Sequence, residues 1–192
     1  GSHITGAGKA YLYSGKDGSI LKQWEGKNMG DGFGTAVAGK TVKGTTFIMV
    51  GSPGSGFRNG GQVFVYKGIE SMPFFVMEAD STGSSLGGMF MSVVGDVNGD
   101  KVTDLYASDW SNGAKGPSTG RVYVYSGANG KKLIELTGEA PGDGFGIGVA
   151  DAGDTNKDGF DDLVIGAWQH ASGAPSAGKV YVYSGKDSKR LR

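Results

Sequence analysis

The sequence predicts an all-β fold built from β-propeller blades, each a unit of four short antiparallel strands. Three observations carry this. A tyrosine-rich strand recurs four times, as AYLYSG, VFVYKG, VYVYSG and VYVYSG, ending at Gly15, Gly68, Gly127 and Gly185 and therefore 53, 59 and 58 residues apart. A fixed period of this size is the signature of a repeat architecture. Gly makes up 38 of the 192 residues without a three-residue period, which excludes a collagen-like chain. These glycines sit at turns between short runs of Val, Ile, Tyr and Phe, as expected for strands. Within the third tyrosine strand, Val122 and Val124 face one side and Tyr123 and Tyr125 the other, the period of two of a pleated strand. Four strands per repeat of this length is the size of a propeller blade.

Taken in order, Gly1-Ser2-His3 reads as the scar of tag cleavage and is set aside. Residues 4–29 hold the first tyrosine strand and SILKQW, which are strands C and D of a partial blade. Residues 30–80 form blade one, with strand A in TAVA, strand B in TFIMVGS, strand C in VFVYKG and strand D in PFFVME. Residues 81–138 form blade two, with MFMSVV, DLYASD, VYVYSG and KLIELT in the same roles. Residues 139–192 form blade three, with IGVA, DLVIGA and VYVYSG, and the sequence stops at Arg192 where strand D would begin. The count is about three and a half blades, fewer than the four to eight of closed propellers. The expectation is an incomplete propeller, or one that closes by homo-oligomerisation, since an open array leaves a blade face and a strand edge exposed.

Between strands A and B, blades two and three carry an oxygen-rich loop. In blade three, Asp154, Asn156, Asp158 and Asp162 occupy relative positions 1, 3, 5 and 9, with Gly159 at position 6 and the carbonyl of Phe160 at position 7. In blade two, Asp96, Asn98, Asp100 and Asp104 repeat that spacing, with the carbonyl of Val102 at position 7. Short oxygen-bearing side chains on alternate residues turn inward together, and an all-oxygen set suits Ca2+, which accepts six or more flexible ligands. Lys101 replaces the Gly of position 6, so the blade-two copy is expected to be slightly less well formed. Blade one has no acidic residue between Asp31 and Glu70, its loop carries Lys40 and Lys43, and it is not expected to bind calcium.

Several function classes find little support. Lys plus Arg and Asp plus Glu are equal at 19 each, and no basic stripe is present, which argues against nucleic acid or an anionic membrane as partner. No apolar run is long enough to span a bilayer. Without cysteine, neither disulfides nor thiolate chemistry is available. Gly34 to Thr41 matches the phosphate-binding pattern G-x-x-x-x-G-K-[ST], but the residues after it read as a turn and a strand, whereas that motif needs a helix. Outside the scar His170 is the only histidine, in a Gly/Ser/Ala loop with no acid assigned to orient it, so catalysis is not expected.

GDGFG, D-x-N-x-D-G-x-x-D, DLVIGA and GxVYVYSG together resemble the FG-GAP repeat of integrin α-subunit propellers and of many bacterial surface proteins. The resemblance covers the chain after the scar. Two departures stand out: of the proline in the GAP element only Pro53 remains, its equivalents being Trp110 and Trp168, and Leu86 stands in for the Phe of FG. The loops between strands B and C emerge opposite the cation loops and carry Phe57, Arg58, Trp110 and Trp168. Aromatic and Arg residues on adjacent loops of a rigid scaffold suit a ligand face, and packing between blades is the other role open to the tryptophans. In integrin propellers the resembling face carries ligand recognition.

The reading is a calcium-stabilised, extracellular or cell-envelope binding or adhesion module without catalysis, recognising a protein or a glycan. Weak oxygen-only sites suit millimolar extracellular calcium, which points to a secreted, cell-surface or periplasmic location. The alternatives are the propeller part of a secreted polysaccharide- or phospholipid-degrading enzyme, and a structural repeat fragment that assembles into an oligomeric propeller.

Overall fold

The computed structural model describes residues 6–192, so the expected tag scar lies outside the described residues. The strands are β1 (Lys9–Tyr13), β2 (Ile20–Glu25), β3 (Val37–Val42), β4 (Thr45–Ser52), β5 (Gln62–Lys67), β6 (Phe75–Glu78), β7 (Met91–Val93), β8 (Leu105–Asp109), β9 (Arg121–Tyr125), β10 (Lys132–Thr137), β11 (Phe145–Gly153), β12 (Asp162–Ala167) and β13 (Lys179–Tyr183). They form four sheets in simple meander order: β1-β2, β3-β4-β5-β6, β7-β8-β9-β10 and β11-β12-β13. All pairings within the sheets are antiparallel. The chain is all-β, with sheets arranged as the blades of a partial propeller. Among the described residues no helix is long and apolar enough to cross a membrane.

The core lies between sheets, and strand alternation assigns each side chain to one of two neighbours. In β4, Ile48 and Val50 join Trp24, Phe33 and Tyr66 against the first sheet, while Phe47 and Met49 join Leu105, Ala107 and Tyr123 against the third. In β9, Tyr123 and Tyr125 face the second sheet, and Val122 and Val124 face Leu163, Ile165 and Tyr181 of the fourth. A central strand buried on both faces therefore reads as an unbroken apolar run such as FIMV. Each such side chain contributes about 1.5–3 kcal/mol through burial.

The Gly that precedes each of the first three tyrosine strands has a specific reason. A Cβ on Gly8, Gly61 or Gly120 would sit 2.0, 2.3 or 2.2 Å from the carbonyl oxygen of Phe33, Leu86 or Phe145, respectively, in the FG turn of the following sheet. All three have left-handed φ, at 87°, 97° and 83°. Backbone meets backbone there, and only Gly allows both the approach and the conformation. Leu86, in the Phe position of blade two, is fully buried.

Polar latches tie two of the junctions. Asp80, just after β6, accepts hydrogen bonds from Arg121 of β9, the Tyr123 hydroxyl at 2.9 Å and the Thr82 backbone at 2.7 Å. Glu139, its equivalent one repeat later, bonds Lys179 of β13 at 2.9 Å. At the first junction the corresponding positions are Lys27 and Gln62, and Gln62 instead bonds Glu78 at 2.6 Å.

Blade one differs from expectation in one detail. Lys40 lies inside β3, paired with Phe47, and not in a loop. The β3–β4 connection is only Lys43-Gly44, with φ of 48° and 81°, the two-residue type I′ turn that matches strand twist. The nine-residue loop of the other blades is replaced by a longer hairpin. The phosphate-binding pattern also dissolves here, since Gly39, Lys40 and Thr41 are strand residues facing Ile48, Phe47 and Thr46.

Candidate functional site

The two oxygen-rich loops have the same internal wiring. At position 1, Asp96 accepts the N–H groups of Gly99 at 2.7 Å, Asp100 at 3.1 Å and Lys101 at 2.6 Å. Asp154 accepts those of Asp158 and Gly159, both at 2.9 Å. The position-3 amide oxygens of Asn98 and Asn156 accept the N–H of position 5, at 2.9 and 3.0 Å. Asp100 and Asp158 accept the N–H of position 7, at 2.8 and 3.1 Å. At position 9, Asp104 and Asp162 are fully buried at the start of strand B. Each accepts the N–H of position 2 and that of the Gly ending strand C, Gly127 or Gly185. Short Asp and Asn side chains bond local backbone readily, which is why they shape the loop even before any ligand is considered.

The donor chemistry fits calcium. Each loop offers three carboxylates, one amide oxygen and one backbone carbonyl, with no nitrogen or sulfur donor. Burial pushes the Asp104 carboxyl up to about 7; N–H bonds from Gly127 and Val97 oppose this, and the charges of Asp100 and Asp96 add to it. Three like charges crowd one turn, a situation a cation relieves. Among the described residues, no group of three or more Asp, Glu, His or Cys side chains is drawn together as a ready metal cluster. The oxygens are turned onto their own backbone N–H groups instead.

The two loops are equally well formed, contrary to the expectation drawn from Lys101. Both need left-handed backbone at positions 4 and 6. Blade two supplies Gly99 (φ 76°) and Lys101 (67°), and blade three supplies Lys157 (62°) and Gly159 (89°). Each therefore holds one Gly and one Lys in that region, where a side chain costs about 1–2 kcal/mol. Lys101→Gly and Lys157→Gly are each expected to stabilise the protein by about 0.5–1 kcal/mol, the entropy of Gly offsetting part of the relief. Gly159→Ala, whose Cβ would meet nothing within 4 Å, is expected to cost about 0.5–1 kcal/mol by the same balance in reverse. Urea denaturation of chelator-stripped protein measures all three.

At the opposite end of the blades, the B–C loops carry Phe57, Arg58, Trp110 and Trp168. Trp168 is 50% exposed and rests on Gly144, where a Cβ would lie 2.4 Å from the indole nitrogen. Trp110 is half-buried. Phe57 is 62% exposed in a single 3₁₀ turn, with the Arg58 guanidinium 5.1 Å above its ring. Arg58 and Asn59 both have left-handed φ, at 53° and 58°, a local strain of the kind concentrated at functional loops.

His170 has the acid that sequence reading did not assign. Its Nε2 lies 2.8 Å from Glu139, and its Nδ1 lies 3.0 Å from the Ser172 hydroxyl. Hydroxyl, imidazole and carboxylate are thus in line, but Glu139 also binds Lys179 and, at 2.7 Å, Arg190. Hydrogen bonds from Lys179 and His170 hold its carboxyl down to about 2. A carboxylate already balanced by two cations has little charge left to stabilise an imidazolium, and the cluster acts as a junction tie. Nothing in the sequence signalled this pairing, because the partners are 31 residues apart on different strand ends.

Comparison with known proteins agrees with the blade geometry. The FG-GAP repeat family matches residues 148–183, which span β12, the blade-three loop and β13. Integrin alpha-E of Mus musculus is 30% identical over 171 residues, 79% of this chain and 15% of that protein. Integrin alpha-PS5 of Drosophila melanogaster is 27% identical over 201 residues, 95% of this chain and 19% of that protein. Integrin alpha-2 of Bos taurus is 28% identical over 177 residues, 86% and 14% respectively. The chain therefore spans less than a fifth of the length of these relatives. Repeated four-stranded sheets, the FG turn against the Gly of the tyrosine strand, and these matches together show an FG-GAP repeat in this chain, at residues 148–183, and a similarity to integrin α-subunits.

Proposed function

We propose that this chain is a calcium-stabilised binding module of an extracellular or cell-envelope protein, with residues 30–80, 81–138 and 139–192 as its blades. One observation carries the reading: two loops at equivalent places present the same oxygen set with the same backbone wiring. Asp96, Asn98, Asp100, Val102 and Asp104 would hold one ion, and Asp154, Asn156, Asp158, Phe160 and Asp162 the other. The ion supplies positive charge that offsets the crowded carboxylates. Binding is thereby linked to stability, by about 2.7 kcal/mol at a free concentration one hundred times Kd. The B–C loops, with exposed Trp168 and the strained Phe57–Arg58 turn, form the face proposed to recognise a protein or glycan. The relatives are integrin α-subunits, whose resemblance supports an adhesion role at the cell surface, and no catalytic step is assigned.

Calorimetric titration of calcium into chelator-stripped protein tests this. Two ions per chain are expected, reduced to one by Asp96→Ala or by Asp154→Ala and to none by both. Absence of binding up to millimolar calcium would leave the loops as hydrogen-bonded hairpins and remove the argument for an extracellular location.

A further inference from the structure

We propose that Asp161 couples the two cation loops, so that an ion in the blade-three loop raises the affinity of the blade-two loop. The inference rests on reading both loops as calcium sites. Asp161 is position 8 of its loop and belongs to no ligand position. Its carboxylate reaches across the blade junction, where Oδ2 accepts the backbone N–H of Asp96 at 2.7 Å. Its own N–H donates to the Asp96 carbonyl at 2.9 Å. Two bonds thus clamp the backbone of the first ligand of the other loop, 65 residues away.

The approach is close. A Cβ on Gly95 would fall 2.0 Å from Asp161 Oδ2, so the residue before Asp96 has to be Gly. Phe160, at position 7, lays its ring on the same loop, where a Cβ on Gly99 would be 2.8 Å from the ring edge. The Lys186 ammonium sits 5.2 Å from the centre of that ring. Positions 7 and 8 of one loop therefore form a wall of the other. The carboxylate of Asp96 in turn accepts three N–H groups of its own loop, so fixing its backbone sets the loop around it. On its other side the blade-two loop meets the two-residue hairpin of blade one, from which Lys43 reaches the Lys101 carbonyl at 3.5 Å. The coupling thus runs between blades two and three alone.

An ion in the blade-three loop fixes residues 154–162, and with them the clamp on Asp96. The second ion then has less backbone to order, which gives cooperativity without any large movement. Linkage makes the effect reciprocal, and coupling of this kind is on the order of tenfold in affinity.

The test is calcium calorimetry on the full chain and its Asp154→Ala, Asp161→Ala, Asp161→Asn and Asp154→Ala/Asp161→Ala variants. Disabling the blade-three loop with Asp154→Ala is expected to weaken the blade-two site about tenfold. In Asp161→Ala the blade-two site is already weakened, and adding Asp154→Ala changes it no further. Asp161→Asn loses the charge but keeps an acceptor for the Asp96 N–H, so it retains the coupling. Exchange protection of the Asp96 amide, followed by NMR with chelator present, should fall in Asp161→Ala and persist in Asp161→Asn. Two sites in the wild-type chain together with an unchanged blade-two affinity in Asp154→Ala, or an unaltered coupling factor in Asp161→Ala, would overturn the proposal while leaving the calcium reading intact. A stoichiometry of zero would overturn both.

Discussion

Phe145→Ala is expected to lower stability by about 3–5 kcal/mol, the range for truncating a fully buried aromatic side chain. Phe145 is the Phe of the blade-three FG turn and is 0% exposed. Its ring packs edge-on against Tyr181 at 5.4 Å and Tyr183 at 6.1 Å, in the core shared with Val122 and Ile165. Its backbone is fixed against Gly120, so the chain cannot move in to fill the space. The loss therefore combines transfer, aromatic contact and cavity terms. Urea denaturation reads it directly, and a cost below about 1 kcal/mol would mean the junction between blades two and three is not packed as described. Leu86→Phe at the equivalent place is expected to destabilise, because that core is already filled around a Leu.

Asp80→Ala is expected to cost about 2 kcal/mol at neutral pH, and the cost should vanish in acid. Partial burial alone would raise the Asp80 carboxyl, but hydrogen bonds from Thr82, Tyr123 and Arg121 outweigh it and hold it far below its usual range. Removing the carboxylate leaves Arg121, whose side chain is 17% exposed, with Glu135 at 3.1 Å and the Thr137 hydroxyl at 2.8 Å. Breaking a fully buried pair costs about 3–5 kcal/mol, and the partial exposure of Asp80 reduces that figure. Because the folded pKa is depressed, the contribution is complete above the unfolded value near 4 and is lost as pH falls below it. The stability difference between wild type and Asp80→Ala should therefore be flat from pH 8 to 5 and shrink from about pH 4 downward. A difference independent of pH to pH 2 would show that Asp80 acts by packing rather than by charge.

Much of the molecule was legible from short-range pattern. The tyrosine strands became β1, β5, β9 and β13, the TFIMVGS run β4, and the strand-D runs β2, β6 and β10, with shifts of a residue or two at their ends. The loop residues at positions 1, 3, 5 and 9 could be read because each bonds backbone within its own turn or at the adjacent strand end. Position 4 was missed, since nothing about Lys157 as a residue announces the left-handed backbone that its loop imposes. Lys40 was assigned to a loop by analogy with the other repeats, whereas a Lys-Gly pair suited to a type I′ turn let β3 and β4 extend toward each other.

The sequence by itself determined the repeat, the strands and the chemistry of the two loops, because strand period and turn conformation depend on neighbours a few residues away. Only the tertiary structure decided which repeats touch, and through which atoms. Asp161 on Asp96, Arg121 on Asp80 and His170 on Glu139 join residues 65, 41 and 31 positions apart. Those meetings follow from the way one sheet stacks on the next, a relation between surfaces that no local pattern along the chain encodes.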